Sequence, residues 1–270
     1  MAITTVDGII AGAKPPQFFW KFLSASLAAG QTGSLFYSTG IPGPAVAPTT
    51  GLNGAPLTTT YAGQIPFTNP SSGQNTYLTR FVASTYNTAS NSNLMLCDRI
   101  WHNSGITMNS TATQNITTAA FPDRDNNGTN NGDGYLLGLE VSAACSAQTP
   151  TISVVYTNPA NVSRTATFQL AATASPGVGR FFPLALQGTD KGVKSIQSIT
   201  FPTNPWVTGT VHLVVYRILQ IIQPTLGAAT ATSSPMQTGL IRLYNNTIPF
   251  LLAQNTQNTS FFGTMNVSQG

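Results

Sequence analysis

Apolar and polar positions alternate over much of this chain, most clearly in "TISVVY" (151–156) and "RTATFQL" (164–170). Ile152, Val154 and Tyr156 alternate there with Thr151, Ser153 and Val155, and Ala166, Phe168 and Leu170 with Thr165, Thr167 and Gln169. A period of two with one apolar face predicts a half-buried hairpin closed by "TNPANVS". Similar short runs, "YLTRFVA", "LMLCDRIW", "YLLGLEVSAA", "RFFPLAL" and "VKSIQSITF", are punctuated by Gly, Pro and Asn. "TVHLVVYRILQII" (210–222) is apolar on both faces and reads as a central or covered strand. Together they predict an all-β fold, a jelly-roll-like antiparallel β-sandwich body over residues 76–224.

The flanks follow other patterns. In "QFFWKFLSASLAAG" (17–30) Phe19, Phe22, Leu23 and Leu27 share a helical face behind Pro16, and Gly30 stands where a cap would, so the spacing predicts a short helix. Residues 38–73 carry Pro or Gly every few positions yet keep Ile41, Val46, Leu52, Leu57, Tyr61, Ile65 and Phe67. Residues 1–75 therefore read as an extended N-terminal arm lying on a surface. Beyond Pro224 a connector leads to a C-terminal tail (225–270) that packs on a partner subunit or on the body. That tail holds Phe250, Leu251, Leu252, Phe261 and Phe262 with a single charge, Arg242. Exposed, such a tail is a liability. Phe18, Phe19, Trp20 and Phe22 of the arm and those five tail residues are thus the expected partner-binding set.

Composition sharpens this picture. Charged residues make up 7% of the 270, against roughly a quarter in ordinary soluble domains, while apolar content holds at 41%. Such a surface suits burial against other subunits. The net charge of +4 comes from basic residues spread singly, with no stripe to follow a phosphate backbone, so no nucleic-acid partner is expected. No secretory signal and no apolar run long enough for a membrane span is read. Cys97 and Cys145 have no metal-type spacing and read as free thiols, a single bridge being the alternative.

Candidate chemistry is sparse. "DRDNNGTNNGDG" (123–134) offers calcium-loop oxygens at Asp123, Asp125, Asn127, Thr129 and Asn131. Its twelfth position is Gly134, and its flanks read as turn and strand, so the favoured reading is a turn-rich loop. His102, with Asp98 four residues earlier, and His212 are the candidate partners for a distant serine in a Ser-His-Asp arrangement, but no nucleophile elbow, Walker loop or HExxH is present. No enzymatic activity, metal or cofactor is expected. Trp20, Trp101, Trp206 and eight tyrosines offer either a sugar-stacking platform or core and interface filling, the second being favoured.

One stretch resembles virion structural proteins of tailed bacteriophages. It carries Asp98, Arg99, Trp101, His102, Ser104 and Gly105, then Tyr156, Thr157, Asn158 and Arg164. Arg180, Pro183, Leu184, Leu186, Gln187, Gly188, Asp190, Gly192 and Val193 complete it. The resemblance covers residues 96–218. It departs from the family pattern at the hairpin turn, where Pro159 and Asn161 replace a Gly-rich sequence. It implies a head decoration or cement protein on the capsid exterior, with the major capsid protein and copies of itself, as a homotrimer, for partners. A tail-associated adhesin for host glycans and a major shell protein are the alternatives.

Overall fold

The computed structural model describes residues 3–23, 27, 30–86, 92–170, 175–224, 230–254 and 259–270. In chain order its elements are α1 (Val6–Ala11), β1 (Gln17–Leu23), β2 (Thr32–Ser34), β3 (Gly40–Ile41), β4 (Ala55–Pro56), β5 (Thr76–Thr85) and β6 (Asn93–His102). There follow β7 (Gln114–Asn115), β8 (Leu136–Ala143), β9 (Thr151–Thr157), β10 (Ser163–Gln169), β11 (Arg180–Leu184) and β12 (Ser195–Thr203). The last are β13 (Thr210–Ile222), β14 (Ala231–Ser233), α2 (Pro235–Thr238), β15 (Ile241–Leu243), β16 (Pro249–Gln254) and β17 (Thr259–Gln269). The chain is all-β, and its described strand pairs are antiparallel.

Two compact units emerge where one body with an arm and a tail was expected. The first comprises Met1–Val46, Thr58–Asp98 and Ile218–Gly270, the second Ala47–Leu57 and Arg99–Arg217. The larger stretch of the second unit, Arg99–Arg217, lies within the span of the phage resemblance, and Ala47–Leu57 lies outside it. In it, β10-β9-β12-β7 form one sheet, and β8 pairs with both β11 and β13 in another. Ile152, Val154, Ile196, Ile199 and Phe201 from the first sheet join Leu137, Leu139, Val141, Leu213 and Val215 from the other in one core around Trp206. Alternation produces this: in β9 every second residue is buried.

In the first unit one sheet runs β14-β5-β17-β1-β3, with β15 also on β5, and β16 pairs with both β2 and β6. Phe19, Phe81, Phe261 and Met265 from that sheet meet Leu94, Leu96 and Leu251 in the core. Residues of the arm and the tail thus lie side by side inside one sheet: β17 pairs with β1 along its whole length and with β5 on its other side.

The helix expected over residues 17–30 is not formed over 17–23, which is strand β1; residues 24–26, 28 and 29 lie outside the described set. Spacing in so short an aromatic stretch fits either period, and pairing with β17 and β3 decides for the strand, which aromatics favour. Lys21 then faces inward. Its ammonium donates to the carbonyls of Ser38 (3.3 Å) and Gly43 (3.1 Å), and burial lowers its pKa to about 8. β3 reaches β1 only because Gly40 has no side chain: a Cβ there would stand 1.9 Å from the Trp20 carbonyl oxygen.

Candidate functional site

The outward positions of β1 are Phe18, Trp20 and Phe22, which are 49%, 38% and 37% exposed. Register sets Ile41 of β3 on one side of Trp20 and Phe262 of β17 on the other. Ile41 is 54% exposed and Phe262 half-buried. Just past β5, Tyr86 (63% exposed) lays its ring 4.9 Å from that of Phe262. Phe18, Trp20, Phe22, Ile41, Phe262 and Tyr86 thus form one aromatic face on the solvent side of a flat scaffold. Polar neighbours Ser260 and Thr264 stand opposite Phe22 and Phe18. Lys21, the one charge on β1, is turned into the core.

The nine residues expected to bind a partner divide by strand parity on β1 and β17, while β16 is buried on both faces. Phe18, Trp20, Phe22 and Phe262 are on this face. Phe19, Phe250, Leu251, Leu252 and Phe261 are at most 2% exposed and lie in the core, where the chain's own residues cover them. Phe250 packs edge-on to Phe36 at 5.8 Å, and Phe19 stacks on Phe81 at 5.8 Å. Ile41 and Tyr86 were missed as partners. Ile41 sits in a Pro/Gly-rich stretch and Tyr86 at a strand end, and only pairing places both beside β1 and β17.

As a sugar platform the tryptophans do not act together. Trp101 and Trp206 are fully buried, leaving Trp20 outside. A separate open groove of about 420 Å³ in the first unit is lined by Pro42, Pro44, Tyr61, Gln64 and Phe67 among others.

The acidic loop is organised by Asp125, which is fully buried. Its Oδ1 accepts the backbone N–H groups of Asn127 (2.9 Å) and Thr129 (2.8 Å). Its Oδ2 accepts the Thr129 hydroxyl (2.7 Å) and the N–H groups of Gly132 (3.1 Å) and Asp133 (3.3 Å). Burial alone would raise this carboxyl, but the bonds from Thr129, Asn127 and Asp133 outweigh it and hold the pKa below the usual range. Both oxygens face positive hydrogen-bond donors, where the calcium reading of Asp123, Asp125, Asn127, Thr129 and Asn131 needs them to face a cation. Among the described residues no cluster of three His, Cys, Asp or Glu forms. Cys97 and Cys145 are both free and buried.

Of the residues that carry the phage resemblance, Tyr156, Asn158, Arg164, Gln187 and Asp190 form one polar clasp of the second unit, and Arg99 and His102 belong to another. In one, Asp190 accepts the Tyr156 hydroxyl (2.7 Å) and the Asn158 amide (2.8 Å), with Arg164 at 3.7 Å. The Gln187 N–H donates to the same Tyr156 oxygen (2.9 Å). Tyr156, then Asn158 and Arg164, hold the Asp190 carboxyl low, while burial and Asp190 push Tyr156 up to about 12. The departure at the turn is absorbed locally. Asn161 itself takes the left-handed conformation (φ 61°), and Asn158 Oδ1 accepts the N–H groups of Ala160 and Val162.

In the other clasp, Arg99 and Glu140 make a fully buried ion pair at 2.6 Å, and Arg99 Nε donates to His102 Nδ1 at 3.3 Å. His212 Nδ1 lies 2.8 Å from the Asn103 carbonyl, which fixes the proton on Nδ1, so Nε2 accepts from the Ser142 hydroxyl at 2.6 Å. A carbonyl thus stands where a hydrolase triad has its carboxylate. Asp98, in the first unit, is fully buried and accepts the Ile248 N–H at 2.8 Å.

No helix among the described residues is long and apolar enough to cross a membrane. No protein-family model and no curated protein matches the chain. Among solved structures, it aligns over 99% of its length with 83% of the VP2 chain of an infectious bursal disease virus subviral particle, at 9% identity and TM-score 0.21. It aligns over 95% of its length with 82% of a chain from that virus's Gt strain, at 9% identity and TM-score 0.18. With the VP1 pentamer of human polyomavirus 6 the values are 99% and 97%, at 12% identity and TM-score 0.12.

Proposed function

We propose that this chain is a non-enzymatic structural component of a phage particle, a decoration or cement protein that clamps neighbouring capsid subunits from outside. The observation that carries this reading is the aromatic face of Phe18, Trp20, Phe22, Ile41, Phe262 and Tyr86, a contiguous apolar patch of the kind that often marks an interaction site. The resemblance over residues 96–218 supports the particle assignment, and several of its motif residues serve as internal clasps of the second unit. The first unit, which the resemblance largely leaves uncovered, carries the face. One unit thus supplies a body and the other an attachment surface. Many copies of one modest contact give avidity across a lattice.

The test is decoration of particles. Purified chain added to particles stripped of it should rebind, and a Trp20→Ser/Phe22→Ser variant should rebind at least tenfold more weakly, since aromatics dominate interface energetics. Rebinding of the variant at full strength would remove the face from the contact. A second reading, a tail adhesin for host glycans, draws on the Tyr61 and Phe67 groove. Saturable binding to host envelope polysaccharide, lost in Tyr61→Ala, would favour it over the shell role.

A further inference from the structure

We infer that the aromatic face docks against the same face of a second copy of this chain. The inference rests on reading that face as an assembly surface and names a second copy as its occupant, so that what Trp20→Ser/Phe22→Ser takes from particle binding is the avidity of the pair.

Three features of the face select a copy of itself. The first is area. Phe18, Trp20, Phe22, Ile41 and Tyr86 are between 37% and 63% exposed. At about 200 Å² for each whole side chain they present roughly 500 Å² of apolar surface, before Phe262 is added. If that is the roughly 65% apolar share of a homodimer interface, the full contact is about 800 Å² per partner, the standard size of a stable complex. The second is charge. The strand at the centre of the face carries no outward charge, because Lys21 points into the core and donates to Ser38 and Gly43. On a twofold axis at Trp20, β1 therefore meets β1 with no charge opposed, and the exposed Arg80 of β5 on the same sheet face stands two strands away.

The third is symmetry. Trp20 is central, flanked in register by Ile41 and Phe262, so a twofold axis near it sets each copy's aromatics against the other's. A face that meets itself is isologous and closes as a pair. The trimer expected from the phage resemblance would instead need two different faces.

The chain contains its own reporter. Of three tryptophans, Trp101 and Trp206 are fully buried and Trp20 is 38% exposed, so collisional quenching of fluorescence reads Trp20 alone. The full chain should sediment as a dimer and lose acrylamide quenching as its concentration rises between about 1 and 100 µM, a range open to an interface of this size. Phe22→Ser, which leaves Trp20 in place, should shift dimerisation at least tenfold to higher concentration and restore quenching, with the melting temperature of the monomer at about 1 µM unchanged. Val207→Ser, at an exposed apolar side chain elsewhere (64%), should leave the dimer intact. A monomer with quenchable Trp20 throughout this range, a trimer, or a dimer indifferent to Phe22→Ser would each overturn the inference. If such a monomer still decorated particles through the face, the occupant named here would be wrong and the proposed function would stand.

Discussion

Asp125 and the two histidines show how single residues set the limits of this fold. Asp125 spends both carboxylate oxygens on four backbone N–H groups and the Thr129 hydroxyl. Asp125→Ala should cost about 2–4 kcal/mol, because one buried and four part-buried bonds lose their acceptor together. Millimolar calcium should leave the melting temperature of the native chain unmoved, and a calcium-dependent rise would refute this account of the loop. The histidines act over another pH window. Burial, Arg99 and His212 lower His102 to about 2, and burial is the first cause that lowers His212. Folded-state values below the unfolded value mean that their contribution is fully present above about pH 6.5 and is lost as pH falls below it. Thermal melts should decline from about pH 6.5, each histidine adding up to about 1.4 kcal/mol per pH unit. A melting temperature constant from pH 7.5 to 5 would contradict this.

Among elements, the strands with clean alternation were legible and the aromatic stretch was not. The hairpin read from residues 151–170 is β9 and β10, with Ser163 opposite Thr157, and the doubly apolar run at 210–222 is β13. In "QFFWKFL" five of seven residues are aromatic or leucine, so periodicity carries little information, and the partner that resolves it lies some 240 positions away in β17. For the same reason the partner-binding set mixed inward and outward residues: size and greasiness were visible, the parity of the strand was not. Side-chain fit between strands was equally hidden. Phe181 of β11 lies over Gly138 of β8, where a Cβ would stand 2.1 Å from the ring, and the same ring packs edge-on to Tyr216 at 5.3 Å. Gly138→Ala should therefore destabilise the second unit by about 1–3 kcal/mol, by displacing a buried aromatic. Chemical denaturation reads the loss, and a neutral result would mean that the ring moves freely.

At the scale of the whole molecule, the first unit is built from three separated stretches of chain and the second largely from one. In the first unit β17 stands between β1 and β5, so its central strand comes from residues 259–269. During synthesis, Phe19 and Phe81 have no β17 beside them until that strand leaves the ribosome. The second unit has all of its residues some forty positions earlier. Vectorial translation thus orders the two: the residues of the second unit have all emerged first, and the sheet of the first unit is completed only when residues 259–269 follow. Until β17 pairs, the inward aromatics Phe19 and Phe81 stay as open to water as the outward Phe18, Trp20 and Phe22, so the nascent chain is at its stickiest just before residues 259–269 join the sheet.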